Sequence, residues 1–333
     1  MKNAPPVRFV INGFLQAEGI TILGGASGHD KTWVAAATTK ALLTGEPLFD
    51  YFEVVERAVR VIYLAPEINL GQAFYRLCLK FKLDEYIKSR QLLVSTLSIG
   101  RRVSLIDTEI LRICKGADIF LDTLPRFRAD GKKESEADGN QELANQIFNL
   151  LAQGARSVNP LQHSPKNFIN EKTMQLETLL RGSGDIGAMA STVWGFRRVT
   201  AADDQTKNLV YVQNVKPRDF LPPEPFLLRL RPDIDERGLI GMEKKPGECG
   251  SMEKEIAACS GTSKQSKKAW AKALFEQNQL IGRPTLNERI KSEYGSGVKD
   301  TTLASWLKEW KDPQGDLSSI DDADFDKTTG VKQ

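Results

Sequence analysis

Residues 19–44 read GITILGGASGHDKTWVAAATTKALLT, and this stretch decides the fold. Its first part, Ile20 to Leu23, is a short apolar and β-branched run closed by two glycines, which is typical of a buried strand. From Lys31 onward the stretch is rich in alanine, with apolar residues at helical spacing, which predicts an α-helix that stops at Gly45-Glu46-Pro47. A strand, a glycine-rich turn and a helix therefore follow one another directly.

The turn between this strand and this helix carries a phosphate-binding pattern. The Walker A loop reads G-x-x-x-x-G-K-[ST], and residues 25–32 read GASGHDKT. In such a loop the backbone N–H groups surround phosphates, Lys31 reaches the β- and γ-phosphates, and the Thr32 hydroxyl ligates Mg²⁺. We therefore expect an ATP site formed by Gly25, Ala26, Ser27, Gly28, His29, Asp30, Lys31, Thr32 and Trp33.

Asp30 departs from the usual loop, in which glycine precedes the lysine. Glycine serves where the backbone takes a positive φ or approaches a ligand closely, and Asp tolerates positive φ better than most residues. Its carboxylate, however, opposes phosphate binding unless a cation compensates it. Two alternatives stay open: a degenerate site that binds nucleotide weakly or does not hydrolyse it, and an ordinary glycine turn.

Strands and helices alternate beyond this first unit. Further strands are predicted at 59–65, 91–97, 118–122, 157–162, 192–199 and 208–215, with helices between the earlier ones. Such alternation is typical of an α/β fold with a mostly parallel sheet flanked by helices. The carboxyl ends of parallel strands then share one edge, where ligands bind.

Three polar residues stand at the ends of these strands. Asp122 ends an apolar run, in the position of a Walker B carboxylate that orders Mg²⁺, and Glu67 ends the preceding strand, where a carboxylate could activate water. His163 follows the fifth strand and could contact a phosphate. A helix N-terminal charge for Glu67 and a satisfied polar group for His163 are the plainer alternatives.

Together these residues resemble the RecA-like P-loop ATPases, in particular the group with the plasmid RepA-type and bacterial DnaB-type replicative helicases. The segment from Leu180 to Gly187 resembles the R-[GE]-S-G segment of this group, and Asn214-Val215-Lys216-Pro217-Arg218 resembles its late K-x-R pair. The resemblance implies an ATP- and Mg²⁺-dependent ring hexamer in which Lys216 and Arg218 act on the neighbouring subunit's nucleotide. It also implies that His163 senses the γ-phosphate and that loops near 128–140 and 166–178 track single-stranded DNA.

The basic residues of these two loops are Arg128, Lys132, Lys133, Lys166 and Lys172. Acidic residues are interleaved with them and aromatic residues are few, so solvated loops are an equal alternative. Over the whole chain, 46 Lys and Arg face 43 Asp and Glu, and this balance alone does not indicate nucleic-acid binding. The four cysteines are scattered without metal-ligand spacing, which favours a cytoplasmic setting, and no run is apolar enough for a membrane span.

We predict four segments: a RecA-like ATPase domain over 1–230, a linker over 231–250, a small helical or winged-helix-like domain over 251–312, and an acidic disordered tail over 313–333. In the last helix, Leu303, Trp306 and Trp310 form a stripe that favours a core over a contact surface. The expected function is an ATP-driven motor on DNA, such as the replicative helicase of a mobile element, with other replication proteins as possible partners. The alternatives are a DNA-bound regulator or recombination mediator without unwinding, and a nucleotide-binding scaffold in which Asp30 impairs hydrolysis.

Overall fold

A computed structural model of the protein describes residues 6–96, 104–128, 137–180, 184–199, 208–231, 239–259, 264–278, 281–294 and 297–311. The chain divides into two compact units, and the boundary falls between Glu255 and Ile256. The predicted acidic tail over 313–333 lies outside the described residues, as do Lys132, Lys133 and residues 181–183 of the predicted R-[GE]-S-G segment.

A large sheet forms the frame of the first unit. Within the described residues it has nine strands in the order β11-β10-β9-β8-β3-β7-β6-β4-β5. The strands β3 to β8 are parallel, and β9, β10 and β11 extend one side as antiparallel strands. Their bounds are β3 (Thr21–Gly25), β4 (Arg60–Ala65), β5 (Leu92–Thr96), β6 (Ala117–Asp122), β7 (Ser157–His163), β8 (Thr192–Arg198), β9 (Leu209–Pro217), β10 (Phe226–Leu230) and β11 (Ile240–Lys244).

Helices flank this sheet, and together they confirm the predicted α/β class with a mostly parallel sheet. The first helix begins at Lys31, directly after the glycine-rich turn, and is capped by Gly45, whose φ of 81° and N–H bond to the Ala41 carbonyl close the last turn. The helices of the first unit are α1 (Lys31–Thr44), α2 (Ile68–Lys80), α3 (Asp84–Lys88), α4 (Thr108–Ile113), α5 (Ala137–Ala152), α6 (Leu176–Leu179) and α7 (Gly184–Met189), with short 3₁₀ helices at Leu124–Phe127 and Lys166–Asn170, while α8 (Met252–Cys259) runs across the boundary.

The core lies against the central strands. All five residues of β3 are buried, as expected for a parallel strand covered on both faces. Trp194 on β8 is fully buried, stacks on Phe14 with ring centroids 4.7 Å apart, and donates its indole N–H to the Phe14 carbonyl. This contact fixes a small hairpin, β1 (Phe9–Ile11) and β2 (Leu15–Gln16), which the sequence pattern of residues 1–19 did not predict.

Pro160 lies inside β7, a central strand, as the predicted strand over 157–162 requires. On the β6 side the pairing runs through Pro160, which stands opposite Leu121. On the β3 side the ladder consists of a bridge from Ile20 to Val158 and pairs that resume at Leu23 and Leu161. Because proline has no N–H to donate, the interruption on the β3 side is where the sheet accommodates it.

The predicted linker over 231–250 is wrong in part. Residues Ile240–Lys244 form β11, which pairs with β10 at the edge of the sheet, and residues 232–238 lie outside the described residues. Ile240 is buried and Met242 packs against the core, whereas Gly241 and Glu243 between them have low strand propensity. An edge strand with only two apolar residues has too short a pattern to separate it from a loop.

In the second unit the described residues are helical. The helices α9 (Lys264–Gln277), α10 (Arg283–Tyr294) and α11 (Asp300–Lys311) surround a core that includes Leu303 and Trp306, with Trp310 packed against it. The predicted stripe on the last helix therefore belongs to the core. The described residues of this unit contain no β-strand, so the winged part of the expectation has no counterpart among them. In neither unit do the described helices include one long and apolar enough to cross a membrane.

Gly25 is required where β3 meets β8. It stands opposite Phe196, and a Cβ at this position would come within 2.6 Å of the Phe196 carbonyl oxygen, which the backbone holds in place. We expect Gly25→Ala to lower the free energy of unfolding by about 1–3 kcal/mol through overpacking. Thermal or urea unfolding measures the loss.

Gly241→Ala on β11 is the matched control. A Cβ there meets no atom within 4 Å, and the glycine has no positive φ. This substitution is expected to leave the stability unchanged or to raise it by up to about 1 kcal/mol. Equal effects of the two substitutions would contradict the close approach of Gly25 to β8.

Candidate functional site

A cleft opens at the carboxyl edge of the parallel strands. Its volume is about 570 Å³. Strands β3, β6 and β7 and the loop after β4 end here, because parallel strands carry their carboxyl ends to one edge. The cleft is lined by Ser27, Gly28, Asp30, Lys31, Thr32, Trp33, Glu67, Leu70, Asp122, Thr123, Pro125, Arg126 and His163.

The loop at the mouth of α1 has the backbone that the Walker A pattern requires. Gly28 has a φ of 78°, and Asp30 has a φ of 60° and a ψ of 19°, in the left-handed region. The value at Asp30 explains why glycine is usual at this position, and why aspartate, which tolerates this region, can replace it. The Asp30 side chain makes no capping hydrogen bond to the helix, while its carbonyl accepts the first helical bond from the Val34 N–H.

Lys31 is buried under the loop. Its ammonium donates to the carbonyls of Gly25 and Ala26 at 2.8 and 2.9 Å and lies 3.3 Å from His163 Nδ1. Burial lowers the pKa of Lys31 to about 8, against the attraction of Asp122 and Asp30, which raises it. The ammonium thus curls the loop around itself, and its carbonyl partners are ones that a phosphate oxygen could replace.

The two histidines of the chain flank the loop from different sides. Burial lowers the pKa of His163 to about 4, with Lys31 and Arg126 adding to the effect, so its ring is neutral at physiological pH and Nδ1 can accept from Lys31. Burial also lowers the pKa of His29 to about 4, and its Nδ1 donates to the Phe196 carbonyl at 3.2 Å. His163 therefore faces the cleft, whereas His29 ties the loop to β8.

Thr32 and Asp122 offer oxygen donors suited to a magnesium ion. The Thr32 hydroxyl lies 3.4 Å from Asp122 Oδ2, which also accepts from the Tyr63 hydroxyl. Burial raises the pKa of Asp122, while the Tyr63 hydrogen bond and Lys31 favour its ionised form. Mg²⁺ is commonly bound by one or two protein oxygens together with substrate phosphates, and this donor set fits that habit. No cluster of three or more His, Cys, Asp or Glu side chains capable of holding a metal occurs among the described residues.

Glu67 lies in the same cleft and forms an ion pair with Arg126. Glu67 follows β4 and Arg126 belongs to the 3₁₀ helix after β6, so two neighbouring strand ends supply the pair. Both side chains are half exposed, which leaves the carboxylate reachable by water. The pairing directs a carboxylate into the space beside Lys31 and Asp122.

Asp30 has a second cation beside it. The Nε atom of Arg198, the last residue of β8, lies 3.5 Å from Asp30 Oδ2. Burial raises the pKa of Asp30, and Arg198 and then Lys31 act against this rise. The carboxylate that departs from the usual loop is therefore held between two positive side chains.

Lys216 and Arg218 do not join this cleft. In β9 Lys216 pairs with Val193 and Pro217 with Thr192, so this end of β9 lies at the amino edge of the parallel strands. The Lys216 ammonium donates to the Gly187 carbonyl at 2.6 Å, and Arg218 Nη2 donates to the Ala188 carbonyl at 2.9 Å. The structure therefore sets this pair at the opposite edge of the sheet from the phosphate loop of its own subunit.

The segments predicted to track DNA differ from simple solvated loops. Arg128 is buried and donates to Asn140 Oδ1 at 2.9 Å, so the expectation that it meets phosphates is wrong in this structure. Helix α5 begins at Ala137, and residues 129–136 lie outside the described residues. In the second segment Lys166 is exposed, whereas Lys172 forms an ion pair with Glu253 at 3.1 Å.

Sequence reasoning missed three side chains that the structure sets at this site, namely Tyr63, Arg126 and Arg198. Each stands on or just after a parallel strand, at the edge where the strands end. Proximity of a polar residue to a predicted strand end was the available signal. It was applied to Asp122, Glu67 and His163 but not to these three.

Comparisons with known proteins agree with this geometry. A family model described as AAA domain matches residues 1–167. The solved ATPase domain of a replicative helicase superposes with a TM-score of 0.51 at 14% identity, over 72% of this chain and 93% of that one, so the fold is RecA-like. The flagellar accessory protein FlaH from Methanocaldococcus jannaschii is similar with a TM-score of 0.47 at 10% identity, over 68% of this chain and 90% of that one. No curated protein sequence matches the chain.

The lowered pKa of Lys31 predicts how ligand binding varies with pH. A phosphate ligand prefers the charged ammonium, which the free protein loses as the pH rises through about 8. We expect the dissociation constant for a fluorescent ATP analogue to be constant below this value and to rise up to about tenfold per pH unit above it. Titrations across the pH range that brackets the pKa measure this.

Lys31→Arg is the control, because its guanidinium stays charged throughout this range. Its affinity is expected to be lower, since the fork does not reproduce the contacts of the ammonium, and independent of pH. A wild-type affinity that does not change across the range, or an equal slope in the variant, would contradict the assignment of the titration to Lys31.

Proposed function

The chain belongs to the AAA domain family, and from this membership we propose that it is an ATPase that binds and hydrolyses ATP in the cleft beside Lys31. The observation that carries the proposal is the convergence of Lys31, Thr32, Asp122, Glu67 and His163 in that one cleft. These residue types are the ones that phosphoryl transfer to water requires: a cation, metal ligands, and a carboxylate near the attacking water.

Each side chain then has a defined role. The backbone N–H groups of the loop and the Lys31 ammonium hold the β- and γ-phosphates, with Trp33 beside them. Glu67 accepts a proton from the water that attacks the γ-phosphorus, so that the products are ADP and phosphate. His163, which touches Lys31 through Nδ1, responds to the presence of the γ-phosphate through that contact.

Thr32 and Asp122 would hold the magnesium ion of the nucleotide. When bound, the ion neutralises phosphate charge and fixes the geometry of the phosphate oxygens. Tyr63 orients Asp122 through its hydroxyl, and its ring stacks on Phe74 with an interplanar angle of 9°. The carboxylate is thus positioned before the ligand arrives.

Lys216 and Arg218 are proposed to act on the nucleotide of an adjacent subunit. They lie at the opposite edge of the sheet from the phosphate loop, so they cannot reach the nucleotide of their own subunit. Two complementary edges of one chain suit a head-to-tail contact, which closes into a ring when the rotation permits. A ring hexamer is the assembly that the family resemblance implies.

Single-stranded DNA is the proposed polymer on which this motor works. The fold shared with the solved helicase ATPase domain is compatible with the proposal, and the exposed Lys166 offers a phosphate contact. A cytoplasmic replicative helicase, with other replication proteins as partners, remains the finer form of this proposal. A regulator or recombination mediator without unwinding, and a scaffold without turnover, are the alternatives that the experiments below separate.

Steady-state ATP hydrolysis with and without single-stranded DNA tests the proposal. We expect wild-type turnover that rises with DNA, and Lys31→Ala and Glu67→Gln to lower kcat/KM by about 100-fold or more. Lys40→Ala is the matched control, because this lysine lies on the same helix but pairs with Glu46 at 2.9 Å and does not line the cleft.

Turnover that rises with DNA without unwinding of a forked duplex would favour the regulator or mediator. No wild-type turnover, together with nucleotide binding that Lys31→Ala abolishes, would favour the scaffold. Equal activity in wild type and Lys31→Ala would contradict the site itself.

Mixing two inactive variants tests the action between subunits. A variant with Lys216→Ala and Arg218→Ala keeps an intact cleft, and Lys31→Ala keeps intact fingers. In a randomly mixed ring about a quarter of the interfaces combine both intact halves, so the mixture is expected to recover a matching share of the activity. Steady-state hydrolysis of the equimolar mixture measures the recovery.

Lys31→Ala mixed with Glu67→Gln provides the control. Both residues belong to one cleft, so no interface in this mixture is complete and no recovery is expected. A finger variant that stays inactive in the first mixture, although it folds and assembles, would contradict the trans role.

A further inference from the structure

The carboxylate of Asp30 lines the cleft in which the phosphates are proposed to bind. Its side chain is largely buried, and Oδ2 has no hydrogen-bond partner although it lies 3.5 Å from Arg198. A buried anion beside a polyanionic ligand raises the free energy of binding unless a cation compensates it. The loop therefore needs a counter-charge that a loop with glycine would not need.

Arg198 supplies a cation from behind the loop. Within β8, Phe196 stands opposite Gly25, where the loop begins, and Arg198 follows two residues later. One end of its guanidinium faces Asp30, and Nη2 donates to Asn208 Oδ1 at 2.7 Å. Asn208 thus holds the guanidinium at the position where it meets the carboxylate.

Arg198 is not among the residues that line the cleft, whereas Asp30 is. This arrangement favours an action on Asp30 over a direct contact with the nucleotide. Lys31, the other cation that acts on Asp30, already binds the carbonyls of Gly25 and Ala26.

We propose that Arg198 is a positioning residue that neutralises Asp30 and so keeps the aspartate-bearing loop able to bind the phosphates of a nucleotide. The inference rests on the proposed nucleotide binding. It assigns the departure of the loop from the usual pattern to a compensated exchange, because the pair of opposite charges has the same net charge as glycine.

A double-mutant cycle on nucleotide affinity tests this inference. The variants are Arg198→Gln, Asp30→Asn and the double variant, and the probe is a fluorescent ATP analogue with Mg²⁺ at fixed pH and salt. Asn is the matched replacement for Asp30, since it keeps the size of the side chain and tolerates the left-handed backbone. A thermal unfolding scan of each variant checks that the fold is retained.

Arg198→Gln alone is expected to weaken binding about tenfold or more, because Asp30 is left uncompensated. In the Asp30→Asn background the same substitution is expected to change the affinity by less than about threefold, since no charge then remains to be neutralised. Arg198→Lys, which keeps the charge, is expected to stay within about threefold of wild type. Arg229→Gln removes a surface arginine paired with Glu243 and is expected to change nothing.

Equal losses from Arg198→Gln in both backgrounds would overturn the inference, because they would indicate a direct contact between Arg198 and the nucleotide. A loss in Arg198→Lys as large as in Arg198→Gln would also overturn it, and this comparison decides the matter if Arg198→Gln unfolds. The proposed nucleotide binding fails separately, if wild type binds the analogue no better than Lys31→Ala does, and in that case both proposals fall.

Discussion

The buried ammonium of Lys31 is the charge around which the site is arranged. A cation that is 5% exposed requires acceptors and counter-charges close by, and the Gly25 and Ala26 carbonyls and the Asp122 carboxylate meet that need. These partners come from the end of β3 and the end of β6, with β7 between them. The order of strands in the sheet is therefore what brings a phosphate-binding lysine and a metal-binding carboxylate into one cleft.

The sequence predicted the parts of this arrangement that depend on local pattern. The strand, loop and helix over residues 19–44 were predictable because strand period, turn glycines and helix period all lie within one short stretch. Asp122, Glu67 and His163 could be proposed because parallel strand ends share an edge. The partner of each of these residues could not be proposed, since Tyr63 meets Asp122, and Arg126 meets Glu67, only through strand neighbours that no local pattern specifies.

Arg128 and the strand β11 show the two ways in which local pattern misled. Arg128 stands at the start of a polar stretch and was expected in solvent, yet Asn140 of α5 holds it in the interior. In β11, alternating glycine and charged residues resembled a linker, yet pairing with β10 makes it a strand. In both cases a contact with a distant segment of the chain outweighed the propensity of the local sequence.

Asp30 in its left-handed backbone has a consequence for how this sequence can change. A glycine at that position would leave Arg198 free to vary, whereas an aspartate ties the fitness of one site to the residue at the other. The order of substitutions then matters: an arginine that precedes the aspartate opens a neutral route, and an aspartate that comes first passes through a weakened intermediate. The loop and the end of β8, far apart in the chain, would thus share one evolutionary history.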